Sequence, residues 1–267
     1  MGNAFFVVWR ESVEAFLIAG ILYAWLAAND AGSRGKRALF GGLAAGVAMA
    51  LLLGWALLGV QDELTGEALE LFQTTTLFVA AGLITQMVLW MKRHGRTLKA
   101  RLHADLAAAA TRSGYFGVAI VAALAVAREG AETVIFLYGL AQGGEMQALA
   151  AGSLFGLATA ALTAWLAARS LARLNLGLLL RVSSVLLLVL ASALLLSGID
   201  RLIGSGWLPP LLEPVWDSSP LLDDSTKAGK LIADFSGYRA KPALSELLAW
   251  ATYWGVVLLT WRRSSHV

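Results

Sequence analysis

The chain contains no cysteine. That excludes thiolate metal ligands, disulfides and iron–sulfur clusters. Histidine is almost as scarce: there are three, His94, His103 and His266, and all fall in segments read below as cytoplasmic. A haem reductase embedded in a membrane would want histidines inside its spans, and a zinc or nickel site is disfavoured on the same ground. Charged residues make up 15% of the 267, against about 25% in a soluble domain. Neither an HExxH motif nor a nucleophile–base set is present, so an enzyme is not expected. Proline is confined to one region, at Pro209, Pro210, Pro214, Pro220 and Pro242. The net charge of +3 does not indicate nucleic acid, because the basic residues gather in a few loops between apolar runs, where they would face anionic lipid.

What fills the chain instead is apolar, 58% of all residues. The runs predict an all-α polytopic membrane protein with a small soluble part. Spans are expected at about 4–27, 38–60, 71–91, 116–140, 148–168, 178–199 and 246–261. The loops after the first, third and fifth are basic, with Arg34, Lys36 and Arg37, then Lys92, Arg93, Arg96, Lys99 and Arg101, then Arg169 and Arg173. The loops after the second and fourth hold no Lys or Arg. By the positive-inside rule this gives seven transmembrane helices, N-terminus out and C-terminus in. No basic residue precedes the first run, so it reads as a permanent helix rather than a cleaved signal.

Two stretches inside this apolar background say the same thing. Arg10-Glu11-Ser12-Val13-Glu14 and Arg128-Glu129-Gly130-Ala131-Glu132 both read Arg-Glu-x-x-Glu. On a helix, residues three and four apart share a face, so each motif presents two carboxylates with a cation beside them. One ionised side chain at mid-membrane costs roughly 2.5–3.5 kcal/mol, and six of them about 15–20 kcal/mol before pairing. Internal ion pairs that lock helices together would need only one Glu per Arg. The second Glu of each motif calls for another partner, and a cation supplies it. Four carboxylates without sulfur favour a hard ion. With all groups ionised the cluster carries −2, which a divalent or trivalent metal, or protons, would compensate.

The motifs lie 118 residues and three spans apart, and an odd number of spans reverses direction. Gly42, Gly46, Ala48, Ala50, Leu52 and Trp55 fall on Gly152, Gly156, Ala158, Ala160, Leu162 and Trp165 at a constant shift. Spans three and six show no such match. An inverted repeat of two three-helix halves, 1–93 and 116–199, is therefore expected, with the site where they meet. Both motifs lie roughly 10–17 Å below the outer surface at 1.5 Å per residue. The rest of this single transport domain would be an amphipathic cytoplasmic loop at 94–115, with a helix over 97–110 on the inner membrane surface, an extracytoplasmic loop at 200–245, and a seventh helix at 246–262. Residues 61–70 carry Asp62, Glu63, Glu67 and Glu70 and no basic residue. They are a candidate outer mouth that gathers cations; if they are helical, Glu63, Glu67 and Glu70 share a face. The other reading is a solvated acidic loop.

Paired Arg-Glu-x-x-Glu motifs in the first and fourth of seven spans resemble the oxidase-dependent iron permease family, whose bacterial branch is the permease of Efe-type iron uptake. The resemblance covers nearly the whole chain and includes Pro214-Val215-Trp216-Asp217-Ser218-Ser219 and Ser236-Gly237-Tyr238 of the outer loop. It implies a multi-pass protein of the cytoplasmic membrane that carries iron inward as its substrate, without a permanently bound cofactor. Glu11, Glu14, Glu129 and Glu132 would handle the metal, with Arg10 and Arg128 as supporting charge. It also implies periplasmic iron-binding and oxidase- or peroxidase-type partners, the oxidase supplying Fe3+. Many members carry Glu near the start of the third span where this chain has Gln73, which puts that span's contribution to the path in doubt. Some members are linked to lead. A permease of the same fold for Pb2+ or Mn2+, or a non-transporting scaffold for a periplasmic oxidase, therefore remains a competing expectation.

Overall fold

A computed structural model describes residues 2–29, 32–94, 97–142, 146–169 and 176–263. Among them the regular structure is helical: α1 (Gly2–Ala28), α2 (Gly32–Glu63), α3 (Gly66–His94), α4 (Leu98–Ala141), α5 (Met146–Arg169), α6 (Leu176–Gly204), the short α7 (Lys227–Ser236) and α8 (Leu244–Arg263). Arg96, Arg173 and His266, named above in the cytoplasmic segments, lie outside the described residues. Four helices are long and apolar enough to cross a membrane: α2, α3, α5 and the Arg181–Gly204 part of α6. The two motif helices, α1 and α4, are not among them. All-helical architecture with several such helices is that of a polytopic membrane protein.

The helices are longer than their apolar runs, and the breaks have local causes. Gly66, with φ +58°, separates α2 from α3, a left-handed conformation that glycine adopts without strain. This corrects the reading of the acidic stretch as one helical face. Asp62 and Glu63 end α2, Glu67 and Glu70 begin α3, and all four are exposed. Gly114, with φ 58° and ψ −141°, breaks α4 into two parts. The first part is the amphipathic helix the sequence announces, but its apolar stripe meets protein. Leu102 and Leu106 are buried with Ile18, Leu22, Leu26, Leu39, Val118 and Ala122. It therefore closes one end of the bundle instead of resting its apolar face on lipid. At the start of α8, the Ala243 N–H donates to Glu246 Oε2 at 2.9 Å. This is the back-bond of a capping box, and it explains a carboxylate at the head of a short apolar helix.

The packing carries the duplication down to single atoms. α2 lies along α4, and α5 lies along α1. A Cβ added to Gly46 of α2 would fall 2.7 Å from the Ala123 oxygen, 2.9 Å from Val126 Cβ and 3.0 Å from the Ala127 nitrogen. One added to Gly156 of α5 would fall 2.7 Å from the Phe5 oxygen, 3.1 Å from Val8 Cβ and 3.0 Å from the Trp9 nitrogen. Each partner on α4 stands 118 residues after its counterpart on α1, the same separation as the two motifs. The second helix of each half thus crosses to the first helix of the other half, and glycine lets the backbones touch. α3 and α6 pair with each other antiparallel, Phe78 against Gly198 and Gln73 against Arg201. Their shared core includes Leu77, Ala80, Ile84, Leu187, Leu190 and Leu194.

The segment between α6 and α8 covers one end of this bundle. Asn3 Nδ2 donates to the Asp234 carbonyl at 3.0 Å, and Phe6 meets Phe235 at 6.0 Å between centroids. Tyr238 ties the segment together through Ser218 at 2.6 Å and the Leu222 carbonyl at 2.9 Å. The motif Pro214–Ser219 and Tyr238 are therefore parts of one small fold.

Two outcomes follow from this packing. Gly46→Leu and Gly156→Leu should each destabilise the protein in detergent by at least about 1–3 kcal/mol, the usual cost of overpacking, and by similar amounts, read from denaturant unfolding followed by Trp fluorescence. In the covering segment, Ser219 donors and Lys241 hold the exposed Asp217 carboxyl down to about 2 from its ordinary 3.8. A depressed carboxyl stabilises above its unfolded pKa and loses that contribution as pH falls through the folded one. Lys241→Ala should shift the acid titration of Asp217, followed by NMR, upward.

Candidate metal centre

α1 continues unbroken through its motif because Arg and Glu are good helix formers, and it turns both carboxylates and the guanidinium into the bundle. Arg10, Glu11 and Glu14 are all buried. Arg10 Nη1 donates to Glu11 Oε1 at 2.9 Å. Its Nη2 lies 2.7 Å from Glu14 Oε1, a close ion pair within one helical turn. The guanidinium touches the sulfur of Met87 on α3. The second motif is built the same way and sits differently. Arg128 Nε donates to Glu132 Oε1 at 3.0 Å and stands 4.0 Å from Glu129 Oε1. Its guanidinium lies over the Trp90 ring at 4.7 Å.

The antiparallel approach of α1 and α4 brings the motifs together. One carboxylate oxygen each from Glu11, Glu14 and Glu129 lies within 4.8 Å of the others, and all three residues are buried. Glu132 stands beside this trio, turned to Arg128, so three of the four expected carboxylates converge and the fourth holds the second arginine. Glu11 Oε2, Glu129 Oε2 and Glu132 Oε2 are buried with no hydrogen-bond donor. A buried carboxylate oxygen without a partner is costly, and the converging oxygens of Glu11, Glu14 and Glu129 are the hard ligands that a cation would take. The count is four carboxylates against two guanidinium groups.

The expected outer residues are elsewhere. Asp62, Glu63, Glu67 and Glu70 belong to no convergent ligand group among the described residues. Glu67 and Glu70 line an open cavity of about 260 Å³ with Thr74, Arg201 and Trp207. His94 stacks on Trp90 at 5.0 Å, and His103 lies on the first part of α4, so neither joins the trio.

Sequence reasoning missed Met87 and Trp90, which meet the two arginines from α3, and the anchoring of Arg201 on α6. Met87 and Trp90 read as ordinary apolar positions of a span. Arg201 was assigned to the outer loop, yet it ends α6 and donates to Gln73 Oε1 at 2.6 Å and to the Gln142 carbonyl at 3.2 Å. Gln73 thus serves as an anchor for Arg201. The Tyr138 hydroxyl donates to Gln61 Oε1, joining α4 to the end of α2. A charge directly after an apolar run was the only signal for Arg201, and nothing in the sequence singled out the others.

The structure is thus an all-helical, polytopic membrane bundle that encloses a cluster of buried carboxylates. The profile of the iron permease FTR1 family matches residues 1–262, and the chain belongs to that family. The chain is 30% identical over 251 residues to the ferrous iron permease EfeU of Escherichia coli O6:H1 strain CFT073, covering 93% of this chain and 91% of that protein. Identity and coverage are the same for the ferrous iron permease EfeU of Escherichia coli O157:H7. The protein of that name from Shigella flexneri is 32% identical over 198 residues, 72% of this chain and 84% of that one. No solved structure matches the chain. It is an iron permease, a transport protein of the membrane.

The two arginines set opposite expectations for stability. Removing both partners of a fully buried guanidinium is costly, so Glu11→Ala combined with Glu14→Ala should lower unfolding stability by about 3–5 kcal/mol. Glu132→Ala exposes only a half-open Arg128 and should cost about 1 kcal/mol or less. Urea unfolding in a fixed detergent compares the two.

Proposed function

We propose that this chain moves iron across the cytoplasmic membrane, from outside to inside, through the cluster of Glu11, Glu14, Glu129 and Glu132, with Arg10 and Arg128 as internal counter-charges. The observation that carries this reading is the trio of converging carboxylates with unbonded buried oxygens, in a chain of the iron permease family. The seven long helices, α1 to α6 and α8, are read as seven spans. They alternate in direction, with α2 parallel to α4 and α1 parallel to α5. Arg34, Arg37, Arg93, Arg101, Arg169 and Arg262 lie at the ends that would face the cytoplasm. The N-terminus and the segment carrying α7 would then lie outside, where periplasmic iron-binding and oxidase- or peroxidase-type partners would meet them.

The ion passed is Fe3+, made outside from Fe2+ by such a partner, which accepts the electron that the ion gives up. A cluster of net −2 receives a trivalent ion with little residual charge, and the same site emptied would be neutralised by protons. The relatives are ferrous iron permeases, which favours a second reading in which Fe2+ itself passes.

Proteoliposomes test both. With radioactive iron supplied as Fe2+ or as chelated Fe3+, wild-type flux is expected, and Glu14→Ala and Glu132→Ala should abolish it while leaving the protein in the membrane. Glu129→Asp keeps the charge but withdraws the ligand by one methylene, and should slow flux severalfold. Flux in both alanine variants would sink the cluster as the path. The form of iron that moves in wild type decides between the two readings.

A further inference from the structure

The duplication makes the two arginines comparable, since Arg10 and Arg128 occupy equivalent places. Their surroundings are not equivalent. The Arg10 side chain is 1% exposed and that of Arg128 is 47% exposed. Two features close the Arg10 side. Met87 touches its guanidinium, and above it the segment carrying α7 lies across α1 through Asn3 and Phe6. On the Arg128 side the described partner beyond its own glutamates is the Trp90 ring. Met87 and Trp90 stand three residues apart on one face of α3, so one helix face attends both arginines.

The charges differ as well. Arg10 holds both of its glutamates closely, at 2.9 and 2.7 Å. Arg128 holds Glu132 at 3.0 Å but stands 4.0 Å from Glu129. With its guanidinium over Trp90, Glu129 stays free to act as a ligand. An ionised group at that depth and that exposure is tolerated where it lines a water-filled opening rather than lipid. Trp90 in turn stacks on His94, the last residue of α3, so the ring stands between Arg128 and the basic end of that helix.

We infer that Trp90 is a positioning residue for iron release: it parks Arg128 away from Glu129 while the ion is bound, in a state sealed at Arg10 and open at Arg128. Transfer of the guanidinium from the ring to Glu129 replaces the ion's charge and expels it toward the basic end. No covalent or redox step is involved. The two-fold relation of the halves supplies the other state of the cycle, with Arg10 open and Arg128 sealed. The inference rests on the transport reading above.

The natural absence of cysteine makes the test direct. Leu124→Cys and Phe6→Cys occupy equivalent positions, one turn before each arginine. A charged, membrane-impermeant thiol reagent is applied to vesicles of either orientation, without iron. Rapid modification of L124C from the basic side alone, with F6C protected from both sides, is expected. L124C that is inert, as a lipid-facing thiol would be, or modified equally from both sides, overturns the inference. Iron binding to purified protein, by equilibrium dialysis with radioactive iron, supplies the second measurement. Trp90→Ala should weaken binding about two- to fivefold, the scale of an exposed cation–π contact, and Trp90→Phe should restore most of it. Unchanged binding in the alanine variant, or equal loss in both, overturns the role of the ring. Labelling needs no transport, so wild-type flux in proteoliposomes separately judges the reading on which the inference stands.

Discussion

The constraint on which the structure depends is the burial of Arg10 between Glu11 and Glu14, against Glu129 from the other half. Taking one ion out of water costs several kcal/mol even after relaxation. Pairing offsets part of this for Arg10, Glu11 and Glu14, but three carboxylate oxygens keep no donor. A fold selected for stability alone would place apolar side chains there, which are often neutral or stabilising in such positions. The cluster is therefore a place where stability is surrendered, which the proposed role in holding the ion would explain. The surrounding helices must be held firmly enough that the carboxylates cannot drift apart or reach water.

The glycine contacts supply that firmness. Gly46 against Ala123 and Ala127, and Gly156 against Phe5 and Trp9, bring the backbones to the closest approach helices allow. Each half grips the motif helix of the other, so α1 and α4 cannot separate without disturbing α2 and α5. The halves are alike at this seam and unlike at the two arginines. The difference arises from the segment with α7 on one side, and from α3 and α6, whose sequences do not match, between them. A repeated frame with a one-sided cover is what alternating access at a fixed central site requires.

Much of this was legible in the sequence. The i, i+3, i+4 spacing of the motifs dictated which side chains would share a face, and both ion pairs from each arginine to its second glutamate are present. The shift that aligned Gly42 and Gly46 with Gly152 and Gly156 reappears as matched atomic contacts, because small residues at helix crossings leave a residue-level mark. Met87, Trp90 and Arg201 were invisible for the opposite reason. Their roles come from which helix lies beside them, and an apolar or terminal position looks the same whether it faces lipid or a guanidinium. The acidic residues around 61–70 were grouped too closely, since the left-handed Gly66 that separates them shows only in the backbone. The helix over 97–110 was found but its partner was not, as periodicity reveals an apolar stripe and says nothing of what covers it.

The claim at the centre is that iron is held by carboxylate oxygens contributed by both halves of the chain. X-ray absorption at the iron edge on the purified, iron-loaded protein tests it most directly, compared with Glu11→Gln and Glu129→Gln at equal loading. The account predicts one tightly held iron with an all-oxygen first shell in wild type, lost in both variants although they lie in different halves. A first shell containing nitrogen, or a site that persists unchanged when Glu129 is made an amide, would contradict it.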